Sequence, residues 1–253
     1  MAAFAVVFPA AGRSSRFTGK EKKPFVNLDG RAVWLRSVEQ FINREGVAQC
    51  IVVVSGEDQE MFRRRFGANL AFMNIQIATG GAERFESIAN ALALLKPEID
   101  FVAIHDAVRP CVTESLISDV FAKAEQTGAA IPGVPVADTM KQVDAGKQIK
   151  GTLPRQGVWL AQTPQVFRRD WLEAAYAQRG SLGRDITDDA QLVEALGHAV
   201  HVVDGASTNI KITSRGDLFL AEAILKSLPK PKPSGPVHPF GEEEMWGGRG
   251  LKG

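Results

Sequence analysis

Five cations crowd a short stretch near the start of the chain: Arg13, Arg16, Lys20, Lys22 and Lys23 follow the small residues Ala10-Ala11-Gly12. Such a turn lets backbone N–H groups approach anionic oxygens, and the cations supply opposite charge, so phosphate binding is the expected chemistry. The stretch is not a dinucleotide fingerprint, because no G-x-G-x-x-G is present, and it lacks the G-x-x-x-x-G-K-[ST] of a P-loop. Its bland alternative is a solvated βα turn. Farther on, His105-Asp106-Ala107-Val108-Arg109-Pro110 places an acid three residues before a cation, and Asn209-Ile210-Lys211-Ile212-Thr213 carries one more lysine. No Ser-His-Asp or Cys-His device is visible. His105 reads as structural, since no second histidine or carboxylate cluster accompanies it as a metal site would need. Cys50 and Cys111 lie far apart outside any motif and read as packing residues, with no disulfide framework or zinc site.

The elements that must hold these residues are alternating apolar runs and amphipathic stretches. A strand buried on both faces is expected at 4–8, further buried strands at 50–54 and 101–104, and strands at 75–78, 129–135 and 200–203. Helical spacing predicts helices over 32–41, 57–66, 83–95, a segment capped by Thr113 and closed by Gly128, then 171–177, 188–196 and 217–228. Strand and helix in alternation imply an α/β fold with a doubly wound, mostly parallel sheet. In such sheets ligands bind at the carboxyl ends of strands, near a switch in strand order. The loops at 10–23, 79–84, 105–109 and 138–141 all belong there.

Between 140 and 158 the pattern becomes a short alternation around Asp144-Ala145-Gly146, which predicts a β-hairpin arm. An exposed arm of this kind is an edge unless something covers it, and a homodimer is the natural solution. The division expected is a single domain over 1–228, with 139–159 as a projecting dimerisation arm and 229–253 as a flexible Pro/Gly-rich tail. The chain has 253 residues, 45% of them hydrophobic, enough for one substantial domain or two small ones. Its net charge of +1 provides no global field for nucleic acid or a membrane surface. With no apolar run of membrane-spanning length and no signal-like start, a soluble cytoplasmic protein is expected.

The strings AAGRSSRF, TGGAERFESI, HDAVRP, ADTMK, RQGVWLAQTPQVF, ITDDAQL and NIKIT occur in this order over about residues 4–226. Together they resemble the 2-C-methyl-D-erythritol 4-phosphate cytidylyltransferase family of the non-mevalonate isoprenoid pathway. The resemblance implies a Rossmann-like nucleotidyltransferase fold that joins CTP to a polyol phosphate, releases pyrophosphate and needs Mg²⁺ or another divalent cation. It implies that Arg16, Lys23 and Lys211 are catalytic, and that Ala10, Ala11, Gly12, Gly81, Ser87 and Asp106 hold the nucleotide. Asp106, Arg109, Thr139, Arg155 and Thr163 match positions around the acceptor, and Asp106 is the candidate metal ligand. It further implies that the arm exchanges across a homodimer, with Arg155 reaching into the neighbour's site. Ribitol 5-phosphate is the alternative acceptor, and a catalytically inactive nucleotide-binding homologue the alternative role. The chain departs from the family's usual Pro-Lys-Gln at Lys22-Lys23-Pro24, which makes Lys22 the rival of Lys23. It also departs at Ser14-Ser15 in the first loop and at Ala82 after the double glycine.

Overall fold

The computed structural model describes residues 1–12, 22–181 and 186–228. Arg13, Arg16, Lys20, Ser14, Ser15 and the tail from 229 onward lie outside the described residues.

The chain opens with β1 (Phe4–Pro9), the hairpin β2 (Asn27–Leu28) and β3 (Arg31–Ala32), then α1 (Val33–Glu39) and β4 (Val47–Ser55). Then come α2 (Gln59–Phe72), β5 (Ile75–Gly80), α3 (Arg84–Leu92), β6 (Phe101–Ile104), α4 (Glu114–Thr127) and β7 (Ala129–Pro135). The second half contains β8 (Met140–Val143), β9 (Ile149–Leu153), β10 (Trp159–Ala161), β11 (Gln165–Arg168), α5 (Arg169–Ala177), α6 (Asp189–Ala195), β12 (His201–Asp204) and α7 (Gly216–Ser227).

β1 pairs in parallel with β4 on one side and β6 on the other, and β4 pairs in parallel with β5. The strand order therefore reverses direction beside β1, at the carboxyl ends of β1 and β6. Beyond β6 the antiparallel β11 intervenes, followed by β7, which also takes β10 antiparallel and β12 in parallel. The sheet is mostly parallel, as expected, with two antiparallel strands, β11 inserted between β6 and β7 and β10 beside β7.

Alternate residues of the sheet feed two cores. Phe4, Val6 and Phe8 of β1 join Cys50, Val52 and Val54 of β4 under α1, α2 and α4. Ala5 and Val7 join Ile51 and Val53 under α3, α5 and α6. This is the period-2 alternation of a sheet covered on both faces. A third cluster, with Leu28, Val33, Val108, Cys111 and Ile212, seats α7 through Ala221 and Ile224.

Some boundaries move for identifiable reasons. α2 begins after a 3₁₀ turn over Gly56–Asp58 and runs on to Phe72, because the stripe Phe62, Phe66, Leu70 continues at helical spacing. α3 stops at Leu92, and Glu83 is its cap: its side chain takes the third backbone N–H while Glu86 answers in a capping box. Thr113 caps α4 through Leu116 N–H, and Gly128 ends it at φ 89°, both as read from the residue types. Trp159, expected at the end of the arm, instead opens β10 on the main sheet. β8 and β9 form a separate two-stranded sheet, with a bulge at Gln142/Val143 and exposed Val143, Ile149 and Leu153. Among the described residues no helix is long and apolar enough to cross a membrane.

Candidate active site

Asp106 stands two residues past the end of β6, at the switch in strand order. His105 N–H still bonds Val7 O of β1 at 2.9 Å, so the chain remains registered on the sheet up to the acid. Arg109 N–H then closes a turn onto Asp106 O at 2.9 Å. Asp106 N–H donates to Thr163 Oγ1 at 3.1 Å, and Thr163 Oγ1 lies 3.2 Å from His105 Nδ1. His105 Nε2 sits 3.1 Å from Arg109 O. A carbonyl only accepts, so Nε2 carries the proton and Nδ1 receives the Thr163 hydroxyl. The imidazole is fully buried against Phe8 and Phe41, and burial pushes its pKa down to about 4. His105 is a neutral strut, in line with its structural reading.

Lys211 arrives from another part of the chain. Ile212 N–H bonds Val108 O at 2.9 Å, and Arg109 Nη1 donates to Asn209 O at 2.7 Å, which lays 209–212 along 106–109. Asn209 is itself buried, with Nδ2 donating to Thr163 O and to Gln162 Oε1. Lys211 Nζ thereby comes 2.8 Å from Asp106 Oδ2, and Arg109 Nε is 3.4 Å from the same oxygen. Burial opposes charge on Asp106, but Lys211, by charge and hydrogen bond, with Arg109 and Arg84, holds its pKa down to about 2. The Lys211 side chain remains 45% exposed, so it can turn to an incoming anion, whereas Arg109 is 12% exposed between its two partners.

The first loop leaves β1 with Ala10 buried and its N–H on Val53 O at 2.8 Å. A Cβ on Gly80 would lie 2.5 Å from the Cβ of Ala11, so only glycine lets the ends of β1 and β5 approach so closely. A Cβ on Gly81 would lie 2.3 Å from Glu86 Cβ. Ser87 Oγ accepts from Gly81 N–H and donates to Glu83 O, both at 3.0 Å, so the serine fixes the double-glycine turn. Gly12, by contrast, has open space where a Cβ would stand.

The remaining candidates divide. Lys23 heads a short 3₁₀ turn, Lys23–Phe25, on the same edge of the sheet. Lys22, the rival of Lys23, is held by Ser55, Glu57 and Asp58. Thr139 and Arg155 are exposed at the foot of the β8–β9 hairpin, and Arg155 Nη1 donates to Ala137 O of its own chain, not to the Asp106 group.

Arg84 and Asp189 were present in the quoted strings without a role. Arg84 Nη2 is 2.7 Å from Asp189 Oδ2, and Tyr176 Oη donates to Asp189 Oδ1 at 2.5 Å. Burial disfavours the guanidinium's charge, yet Asp189, and farther off Asp106, raise its pKa. A buried carboxylate thus aims a partly exposed cation along the edge that holds Asp106. Only the capping character of 188–189 was a signal for it, because the pair is separated by the whole of β6 to α5. A cavity of about 660 Å³ opens at the opposite ends of the strands beside Ala2, Phe101, Gly128 and Trp171. Its arginines are engaged by Asp170 and Glu173, and it contributes nothing to this edge.

The family model for 2-C-methyl-D-erythritol 4-phosphate cytidylyltransferase matches residues 4–227. The enzyme of that name from Rhodopirellula baltica is 41% identical over 236 residues, covering 88% of this chain and 95% of the relative. The one from Solibacter usitatus is 38% identical over 232 residues, with 88% and 95% covered. Among solved structures, 2-C-methyl-D-erythritol 4-phosphate cytidylyltransferase from Thermus thermophilus superposes with a TM-score of 0.73 at 32% identity, over 89% of this chain and 100% of that one. 4-Diphosphocytidyl-2C-methyl-D-erythritol synthase from Anaerococcus prevotii gives a TM-score of 0.76 at 27% identity, over 89% and 96%.

Proposed function

The chain belongs to the 2-C-methyl-D-erythritol 4-phosphate cytidylyltransferase family, and from its geometry we propose how the work of the reaction is divided. The enzyme transfers the cytidylyl group of CTP to 2-C-methyl-D-erythritol 4-phosphate and releases pyrophosphate, in non-mevalonate isoprenoid precursor synthesis. An oxygen of the acceptor phosphate forms a bond to the α-phosphorus of CTP, and the bond to the β-phosphate's bridging oxygen breaks, its electron pair leaving with pyrophosphate. The acceptor monoester, with a second pKa of about 6, is already largely dianionic at neutral pH, so no side chain has to remove a proton. The difficulty is bringing two anions together, and the remedy is placed positive charge.

The single observation that carries this division is the Lys211–Asp106 pair, 2.8 Å apart at the switch in strand order. Asp106 stores the lysine at the edge of the cleft, and a phosphate can draw it away because the ammonium is partly exposed. Lys211, Lys23 and Arg16 neutralise the α-phosphate in the transition state. Ala10, Ala11 and Gly12 line the triphosphate, while Gly81 and Ser87 read the cytosine. Arg109 and Thr163 hold Asp106 toward the acceptor, and Thr139 and Arg155 receive its phosphate across a homodimer. A divalent cation fits as one that arrives on the nucleotide. Among the described residues no three His, Cys, Asp or Glu side chains converge, and Asp106, at the switch in strand order, would share the ion with the nucleotide phosphates. This suits Mg²⁺, which keeps several waters and needs one or two carboxylates beside substrate phosphates. Bound there, it supplies further neutralisation of the triphosphate. We place the enzyme in the cytoplasm, where CTP is made available.

Pyrophosphate release from CTP and Mg²⁺ with each polyol phosphate tests this reading. Lys211→Ala and Arg16→Ala should each lower kcat by about 10²–10³ with folding intact. Near-normal turnover in both would refute the electrostatic assignment, and turnover of ribitol 5-phosphate alone would refute the acceptor.

A further inference from the structure

Lys22 has no part in the chemistry above, yet its ammonium is tightly placed. Nζ lies 2.7 Å from Glu57 Oε1, 2.5 Å from Asp58 Oδ2 and 3.4 Å from Ser55 Oγ. Ser55 Oγ also donates to Asp58 Oδ2 at 2.5 Å, which orients the carboxylate. Burial acts against the lysine's charge, but its bonds to Asp58 and Glu57 prevail and its pKa is raised. All three partners belong to the carboxyl end of β4: Ser55 is its last residue, and Glu57 and Asp58 form the turn that follows. The chain leaving β1 is tied to that same strand end, through Ala10 N–H on Val53 O. Departure from β1 and return at Lys22 are therefore pinned to one place.

The backbone of Lys22 has φ −70° and ψ 140°. That is the φ a proline ring would impose, here held in a residue with no ring. On the other side of Lys23, Pro24 and Phe25 are buried, with Phe25 packed against Phe62 and Phe66. Lys23 thus projects from a backbone gripped by an ion pair before it and by the core after it.

We propose that Lys22 is a positioning residue: its ion pair with Glu57 and Asp58 sets the backbone from which Lys23 is presented to the CTP triphosphate. This rests on the assignment of Lys23 to the triphosphate. The ammonium of Lys22 touches no substrate; what matters is the conformation it holds. A partly buried pair in a small network couples more strongly than an isolated surface pair, which alone is worth little.

Initial rates of pyrophosphate release by the full chain, with CTP varied at saturating acceptor, test the proposal. Lys22→Ala should raise KM for CTP about tenfold, within the range of coupling between residues in direct contact, lower kcat with it because Lys23 also acts in the transition state, and leave KM for the polyol phosphate unchanged. The pair Glu57→Gln with Asp58→Asn should give the same rise, and adding Lys22→Ala to it should make matters no worse. Lys22→Pro, which locks φ without an ammonium, should restore KM to near the wild-type value. An unchanged KM for CTP in Lys22→Ala would overturn the proposal. So would a Lys22→Pro enzyme as impaired as Lys22→Ala while the Glu57/Asp58 double variant behaves as wild type, because the ammonium itself would then be meeting the nucleotide. Lys23→Ala is measured alongside and should lose kcat. Near-normal turnover there would overturn the Lys23 assignment itself, an outcome separate from an unresponsive Lys22→Ala beside an inactive Lys23→Ala.

Discussion

At the scale of single residues, the site depends on one neutral and one charged group side by side. His105 is kept neutral so that its two ring nitrogens brace Arg109 O and Thr163, and Asp106 is kept charged so that it holds Lys211. Both settings have a signature in pH. His105 has a folded pKa of about 4 against an ordinary 6.5, so between those values the unfolded chain binds the extra proton and stability rises with pH. The contribution is complete above about pH 6.5 and is lost as the pH falls toward 4, an effect of about 3 kcal/mol. Asp106, with its pKa lowered to about 2, contributes above its unfolded value near 4 and fails only as the pH drops toward 2. Denaturant titrations between pH 7.5 and 4.5 should therefore slope downward with acid, and His105→Asn should flatten that slope whatever it costs at neutral pH. A wild-type profile level across this interval would show that His105 is not the neutral strut described.

At the scale of elements, the cleft edge is set by how closely loops from neighbouring strands approach. β1 and β5 are not direct neighbours, since β4 lies between them, yet Ala11 and Gly80 meet above its end. The contact admits no Cβ on Gly80: even alanine would stand 2.5 Å from Ala11 Cβ, and Ser87 Oγ is the next atom at 3.4 Å. Gly80→Ala must push Ala11 away from the double-glycine turn, since overpacking a close contact forces backbone shifts. KM for CTP should rise about tenfold or more while KM for the acceptor changes little, an effect of about 1–3 kcal/mol confined to the nucleotide. Unaltered CTP binding in this variant would mean that the two loops act independently. Gly12 serves as the contrast, for its Cβ position is open and the same argument predicts no steric clash there.

At the scale of the whole molecule, the site on one chain leaves some of its expected parts elsewhere. Thr139 and Arg155 sit at the foot of a hairpin whose strands pair only with each other, and Arg155 bonds Ala137 O of its own chain. Val143, Ile149, Leu153 and Leu160 are exposed, as are all three residues of β10, and these are the apolar residues that the proposed homodimer would have to cover. If Arg155 acts across such a dimer, two weak variants should repair each other. Arg155→Ala mixed with Lys211→Ala and reassociated would form hybrids in which one site has its own Lys211 and the partner's intact arginine. Activity at low acceptor should then recover to about a quarter of wild type for statistical pairing. No recovery from a mixture shown to exchange subunits would place Arg155 in its own chain's site or outside the site.

The sequence by itself determined the local periods and their punctuation. Apolar runs of β-strand length, the stripe of α2, Thr113 and Gly128 around α4, and the turn at Asp144 are decided by contacts a few residues apart, so residue types suffice to read them. The motif strings also sufficed for the family and hence for the reaction, because they place the same side chains at the same strand ends. What only the tertiary structure decided are pairings between distant segments. Lys211 reaches Asp106 because Ile212 bonds Val108 and Arg109 bonds Asn209; Arg84 gains Asp189 from beyond α5; and Lys22, the rival of Lys23, is claimed by two acids at the end of β4. A charge in a sequence has no partner until the fold sets its distance and its exposure, and those two quantities fix whether it binds substrate, positions a neighbour or only meets water.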